Sequence, residues 1–536
     1  MDSNNYVEVL DTTLRDGAQT RGVTFTLHDK LRIAEKLDEL GVDFIEGGWP
    51  GSNPKDEEFF KAVKNISLSN SRVAAFGSTR RKGVKPENDP SLDALLRSDV
   101  KVAVIFGKSW LLHVEEVLRC TAEENLDMIS ETVEYLRGHG MDVIFDAEHF
   151  FDGFKENPDY ALEVVRRAYS AGARVIVLCD TNGGTLPTQL REITKTVKHE
   201  VGCPLGIHTH NDSGVAVANT LAAVEEGARH VQGTINGLGE RCGNADLCQV
   251  IPNLALKMGF SLLGGRARER LRSLTALAHF VEELSGRPLP KNHPYVGRYA
   301  FAHKGGVHID AMLKHPRTYE HIDPSLVGNE RIISISELAG KAALQHHAQR
   351  LGIGMDKQAF AAALDEVKRL EAMGYHLEPA DATVSLILLR SIGYEPSYFK
   401  VRTWWVETLD IGKLIARAIV SLDINGEAVT ETGEGVGPVH ALDEAVRNAI
   451  LRKFPELKDT TLVNYKVTVI DTRDGTAAAV RVFTEFKSGE SQWATTAVSR
   501  NIVEASLKAV MDGYTYRLAT LRQDWKADKK TATARV

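Results

Sequence analysis

Cysteine is scarce in this chain: Cys120, Cys179, Cys203, Cys242 and Cys248 are all there are, and none stands in CxxC spacing. That argues against a disulfide framework; an odd, scattered set fits a reducing compartment, with most of the five expected as buried small hydrophobes. Long apolar runs are also missing, since no window approaches the roughly 18 to 20 residues of a membrane span. The opening MDSNNYVEVL has no basic stretch followed by an apolar one. The expectation is a cytoplasmic protein with no membrane partner. Positive charge is not in excess either, and a formal net charge of -7 leaves no general basic surface for nucleic acid. Finally, no glycine-rich phosphate turn follows the first apolar run, which counts against a doubly wound open sheet.

What is present is ordinary globular material, 26% charged and 43% hydrophobic, in a chain of 536 residues that calls for two to four domains. From Val7 to about Gly259, short β-branched or apolar runs alternate with amphipathic helical stretches. The strand cores are Val7 to Leu10, Phe44 to Glu46, Val73 to Phe76, Val102 to Phe106, Val143 to Phe145, Val175 to Leu178, Leu205 to Ile207 and Val231 to Ile235. Between them fall helices such as Leu27 to Leu40, Val114 to Arg137, Tyr160 to Ala171 and Val215 to Glu226. Eight strand-helix pairs in strict alternation predict an α/β fold, a closed (β/α)8 TIM barrel.

Polar residues gather just past the strand ends: Arg15 and Asp16, Glu46, Glu148 and His149, Asp180 to Asn182, His208 to Asp212, and Asn236 to Asn244. Charges on one rim of a packed barrel cost desolvation without adding stability, so their purpose is functional. In DTTLRDGAQ, Asp16 offers an anionic oxygen. In HTHND, His208 and His210 are two apart on a strand and point to one face. One carboxylate and two imidazoles form a set able to hold a divalent cation and leave positions open for substrate. Two imidazoles suit zinc, whereas open positions filled by oxygen also suit manganese or magnesium.

After about Gly264 the chain is mostly helical as far as Arg390, with Leu271 to Leu284 and Phe360 to Met373 the clearest amphipathic stretches. Between them FAHKGGVHIDAML, Phe301 to Leu313, reads as an irregular segment with two histidines, either a solvated loop or a lid carrying an acid-base group. Past Gly393 to Pro396 come strands Lys400 to Leu409 and Leu414 to Asn425 and the helix Val439 to Phe454. Then follow strands Leu462 to Asp471, Ala477 to Phe486 and Thr495 to Val498 and the helix Ile502 to Asp512. Two such rounds predict an α+β domain with an internal repeat. ETGEGVGPVHALDEAV, Glu431 to Val446, reads as a glycine-rich loop at a helix start, suited to an anion such as an effector carboxylate.

DTTLRDGAQ, HTHND, NGLGERCGNADL from Asn236 to Leu247, and FAHKGGVHIDAML together resemble the acyl-CoA aldol-condensing enzymes related to 2-isopropylmalate, homocitrate and citramalate synthases, over nearly the whole chain. Within that family IEGGWPGSNPKD, Ile45 to Asp56, and Ala18 are similar to the citramalate synthase branch. The resemblance implies a catalytic barrel over 1–264, helical linker and lid subdomains over 265–392, an allosteric amino-acid-binding domain over 393–525 and a tail over 526–536. It implies Asp16, His208 and His210 as metal ligands, with Asn244 as a further ligand or close neighbour. Arg15 and Thr181 would bind the 2-oxo acid carboxylate beside Asp16. Glu148 would act with a lid histidine on the acetyl-CoA methyl group; His308 matches that histidine better than His303, and Tyr319 follows as its partner. Where relatives have HxDG this chain has HIDA, so a left-handed backbone at Ala311 would be strained. The implied reaction joins acetyl-CoA to pyruvate, with isoleucine as effector and a homodimer in which His308 acts in trans. The alternatives are 2-oxoisovalerate as acceptor, making 2-isopropylmalate, and an amino-acid sensor with a silent barrel.

Overall fold

Eight parallel strands close on themselves in chain order: β1 (Glu8–Asp11), β2 (Phe44–Gly48), β3 (Arg72–Ser78), β4 (Val102–Lys108), β5 (Asp142–Glu148), β6 (Val175–Asp180), β7 (Leu205–Thr209) and β8 (His230–Gly233). β1 pairs with both β2 and β8, which closes the ring and removes the open-sheet alternative. The computed structural model describes residues 5–333, 340–410, 414–470, 475, 477–489 and 491–526. A parallel neighbour can be reached only by a crossover, so a helix returns the chain between strands. The helix Leu27–Leu40 shows how sequence fixes its ends. Thr26 and Asp29 cap each other at the start, and Gly41, at φ 84°, makes the left-handed turn that stops it.

One expected helix, Val114 to Arg137, proves to be two. A π-helical turn, His113–Leu118, ends where Arg119 adopts φ 54°, and Thr121 then caps Ala122–Gly138. The Thr121 hydroxyl accepts the Glu124 N–H, a fresh start that an unbroken apolar pattern conceals.

Alternation along the strands sends neighbouring side chains to opposite faces. Val9, Ile45, Ile105, Phe145, Leu178, Ile207 and Val231 join the core between strands and helices. Leu10, Phe44, Ala74, Val102, Val104, Ile144, Val175 and Val177 fill the barrel's interior. One step further along β2, β5, β7 and β8 the same inward positions turn polar and stay buried: Glu46, Asp146, His208 and Gln232. An apolar plug thus carries a polar floor.

Contacts divide the chain into two compact units, Met1–Phe301 with Ile322–Arg331, and Ala302–His321 with Ile332–Val536. The second unit contains the two-residue strands β9 (Ala302–His303) and β10 (Ile332–Ile333), paired in parallel, and the helix Gly306–Lys314. The segment expected as either a solvated loop or a lid is therefore mostly helix, with Gly305 at its N-cap. Ala311 lies inside that helix and is not among the residues at positive φ, so no strain arises there.

The same unit holds two antiparallel sheets, β11 (Lys400–Asp410), β12 (Leu414–Ile424) and β13 (Glu427–Gly435), then β14 (Thr461–Val469), β15 (Val480–Ser488) and β16 (Ser491–Ser499). The first carries the helix Pro438–Leu451 and the second Ile502–Arg522. The repeat is thus two rounds of three strands and a helix. Glu431 to Gly435, expected as part of a glycine-rich loop, is the end of β13; only Val436 and Gly437 join it to the helix. Its glycines serve close packing, since a Cβ at Gly433 would stand 2.3 Å from the Ala441 carbonyl oxygen and 2.4 Å from the Ala445 nitrogen. Asp471, expected at a strand end, and 527–536 of the expected tail lie outside the described residues. Among the described residues no helix is long and apolar enough to cross a membrane.

Gly433→Ala should destabilise the protein by about 1–3 kcal/mol, because backbone and not a flexible side chain stands in the way. Gly437→Ala, with nothing within 4 Å of its new methyl, is the control. Equal unfolding midpoints in denaturant would contradict this account of β13.

Candidate metal centre

The loop after β1 is shaped by its own threonines. Asp11 accepts the Thr13 N–H and hydroxyl, both at 2.9 Å, and the Asp16 N–H donates to Thr12 Oγ1 at 3.2 Å. This delivers Asp16 to the barrel mouth, where β7 ends in His208 and His210. His208 Nε2 lies 3.3 Å from His210 Nε2 and 3.7 Å from Asp16 Oδ2. One ligand atom from each of the three residues falls within 4.8 Å of the others, and all three residues are buried. Asn244 is bridged to His210 through the backbone and donates its amide to the Leu238 carbonyl at 3.0 Å.

These residues fit a cation. Asp16 Oδ1 and Asn244 Oδ1 are buried without a hydrogen-bond partner, a costly state for acceptors unless something positive meets them. Burial favours neutral imidazoles, pushing His208 down and His210 down to about 3. Burial works the other way on Asp16, but the charge of the neighbouring Arg15 guanidinium opposes it, and the carboxyl lies below the usual range. Neutral imidazole and ionised carboxylate are the forms that ligate.

Arg15 is fixed by Glu46, 2.7 Å from its Nε, and by Asp16, 3.1 Å from Nη1, with its plane 3.8 Å above the Phe76 ring. Its Nη2 has no acceptor among the described residues, so one arm of the fork is left for a ligand. Thr181 accepts the His149 N–H at 2.9 Å, and Glu148 pairs with Lys108. Arg15, Asp16, Glu148, Thr181, His208 and His210 line one cavity of about 220 Å³. The second unit holds the other candidates. His308 stacks on Tyr319, centroids 4.1 Å apart and rings 22° from parallel. His303 is buried, with Nε2 3.3 Å from Glu320 Oε1.

Several residues in this cavity escape sequence reading. Trp49, Phe76 and Phe106 form an aromatic wall, with Trp49 edge-on to the other two at 5.5 and 5.6 Å. Asp146 is fully enclosed, and burial, with Glu46 adding to it, pushes its carboxyl well up. Gln232 connects Asp146 to His208. Phe76, Phe106 and Asp146 share one signal, an aromatic or polar residue at an inward strand position two on from an apolar one, whereas Gln232 stands two on from His230 and Trp49 lies just past β2.

Three families match the chain in succession: HMGL-like over residues 6–277, homocitrate synthase post-HMGL domain-like over 295–374, and LeuA allosteric (dimerisation) domain over 378–518. Curated relatives match almost end to end. An (R)-citramalate synthase of Aquifex aeolicus is 50% identical over 96% of this chain and 98% of its own. One from Sulfolobus acidocaldarius is 51% identical over 96% and 97%. A 2-isopropylmalate synthase of Methanocaldococcus jannaschii is 36% identical over 96% and 95%.

A divalent ion that binds the folded site alone, supplied at about a hundred times its Kd, should stabilise the chain by ~2.7 kcal/mol. Thermal unfolding with and without chelator measures this. Asp16→Asn should abolish the shift; an undiminished shift in that variant would move the metal elsewhere.

Proposed function

The chain belongs to the HMGL-like family and, within it, to the citramalate synthases, and from that premise we propose how its own residues perform the condensation of acetyl-CoA with pyruvate. The reaction removes a proton from the acetyl methyl, bonds that carbon to C2 of pyruvate, and splits the thioester with water, giving citramalate and free CoA. The observation that carries this reading is the joint presence, in one cavity, of Arg15 with a free Nη2 and the Asp16, His208 and His210 cluster.

Asp16, His208 and His210, with Asn244 beside them, are the proposed ligands of a divalent ion; the donor set admits manganese, magnesium and zinc. Bound there, such an ion would supply a Lewis acid for the keto oxygen, on which negative charge develops. Arg15 and Thr181 hold the pyruvate carboxylate and so set the angle from which the new bond forms. Glu148, paired with Lys108, is the proposed acidic group facing the acetyl methyl. We assign the base to His308. Its exposure and its stack on Tyr319 leave its nitrogens available, whereas His303 is committed to Glu320. The LeuA allosteric (dimerisation) domain supports a homodimer regulated by a small effector, for which we propose isoleucine.

The aromatic wall favours a small acceptor. Trp49, Phe76 and Phe106 line the same cavity as Arg15 and the metal cluster, and there they would bound the alkyl part of a bound 2-oxo acid. Each methylene there is worth about 1–3 kcal/mol of discrimination.

Free-thiol release from acetyl-CoA tests the reading directly. Metal-stripped enzyme should respond to pyruvate only when a divalent ion is restored, and His208→Ala should not respond at all. Phe106→Ala should raise kcat/KM for 2-oxoisovalerate relative to pyruvate by about tenfold or more, given the discrimination expected per methylene. A wild-type preference for the bulkier acid would turn the assignment to 2-isopropylmalate. In the same assay isoleucine should slow release more than leucine or valine does; equal effects from all three, or none, would overturn the effector.

A further inference from the structure

Beneath the cavity a line of buried polar side chains crosses the barrel interior from β5 to β7. Gln232 on β8 stands level with His208 on β7 and with Leu10 on β1. His208 Nδ1 meets Gln232 Oε1 at 2.9 Å, and Gln232 Nε2 donates to Asp146 Oδ1 at 2.9 Å. All three residues are buried, Gln232 to within 1% of full enclosure.

The direction of each bond follows from what the groups can do. Asp146 Oδ1 accepts whether or not its other oxygen carries a proton, so it takes the nitrogen end of the Gln232 amide. The oxygen end is thereby turned to His208, where it can only accept. That forces the His208 proton onto Nδ1 and keeps Nε2 as a lone pair, facing His210 Nε2 at 3.3 Å and Asp16 Oδ2 at 3.7 Å.

We propose that Gln232 is a positioning residue, oriented by Asp146, that fixes the metal-ligating tautomer and ring angle of His208. The inference rests on the metal reading above and extends it to Gln232, which does not line the cavity, and to Asp146 as the group that orients it. Partners of this kind typically change metal affinity about 10- to 100-fold when removed. The arrangement also explains why an amide and a carboxyl occupy inward positions whose neighbours in register, Leu10 on β1 and Val177 on β6, are aliphatic.

Titration calorimetry with Mn2+ on chelator-stripped protein separates the possibilities. Wild type should bind and His208→Ala should not. Gln232→Met, which keeps the volume and removes the acceptor, should bind Mn2+ about 10- to 100-fold more weakly. The double variant Asp146→Asn with Gln232→Glu restores the pattern by a different route. Its amide at 146 donates to the carboxylate at 232, which accepts from His208 Nδ1, and its affinity should return to within about threefold of wild type. Should Gln232→Met fail to fold, Gln232→Asn, too short to reach His208, takes its place with the same expectation. A double variant as weak as the single one would reduce Gln232 to packing, and wild-type affinity in Gln232→Met would overturn the inference outright. Absence of Mn2+ binding by the wild type would overturn the metal reading and this one with it, whereas His208-dependent binding indifferent to residue 232 would overturn this one alone.

Discussion

Arg15 is the half-buried cation on which the barrel mouth depends. Asp16, Glu46 and Asp146 are carboxyls taken almost wholly out of water, and each acts on Arg15 electrostatically. Burial alone would lower the guanidinium, but Glu46 and Asp16 more than offset that and hold it firmly charged. One cation cannot neutralise three carboxyls, and the imbalance surfaces where the theory of buried charge says it must. Asp146, which has an amide for a partner, is driven towards its neutral form, while Asp16 stays ionised between Arg15 and two neutral imidazoles. The site therefore holds a fixed negative oxygen beside two buried imidazoles. A divalent ion completes that balance.

Closure of the sheet makes this arrangement possible. Asp16 follows β1 and the histidines end β7, far apart in the chain, yet only β8 lies between those strands in the ring. Much of this was legible in the sequence. Runs such as VIVL and VAVIF are too apolar on both faces for an exposed sheet, and strand-helix alternation leaves few ways to cover them. Asp16, His208 and His210 were legible for another reason: they lie just beyond the last apolar residue, where a polar group has no packing role. Asp146 and Gln232 were hidden because each follows an apolar residue inside a strand, and only the period-2 alternation marks it as facing inward. Trp49, Phe76 and Phe106 were hidden more completely. Phe76 and Phe106 lie in strands, where an aromatic residue reads as core, Trp49 lies just past β2, and nothing in one dimension shows the three meeting.

The C-terminal rounds were misread at one point for a physical reason. Gly433 and Gly435 look like loop glycines because loops are where glycine is most often needed. Here they lie in a strand, and what requires them is the backbone of the helix Pro438–Leu451 lying directly on the sheet. Close approach and left-handed turns demand the same residue, and spacing alone cannot separate them. The lid segment erred in the opposite direction. GGVHIDAML begins with two glycines, which suggested irregularity, but Gly305 merely precedes the helix and Gly306 is its first residue.

The division of labour within the cavity explains how enzymes as different as the 50% and 36% identical relatives share one framework. In the proposed arrangement Arg15, Thr181 and the Asp16, His208 and His210 cluster would address the carboxylate and keto oxygen, which every 2-oxo acid carries. Those groups are constrained by the reaction and not by the acceptor. What differs between acceptors is a methyl or two on the alkyl group, and Trp49, Phe76 and Phe106 are the aromatic residues that line the same cavity. Discrimination of about 1–3 kcal/mol per methylene lies within the reach of ring placement alone. It follows that acceptor choice can change by substituting inward residues on β3 and β4, without touching the loop after β1 or the end of β7. On this proposal the chemistry and the selectivity would be carried by different strands, each free to vary where the other has no stake.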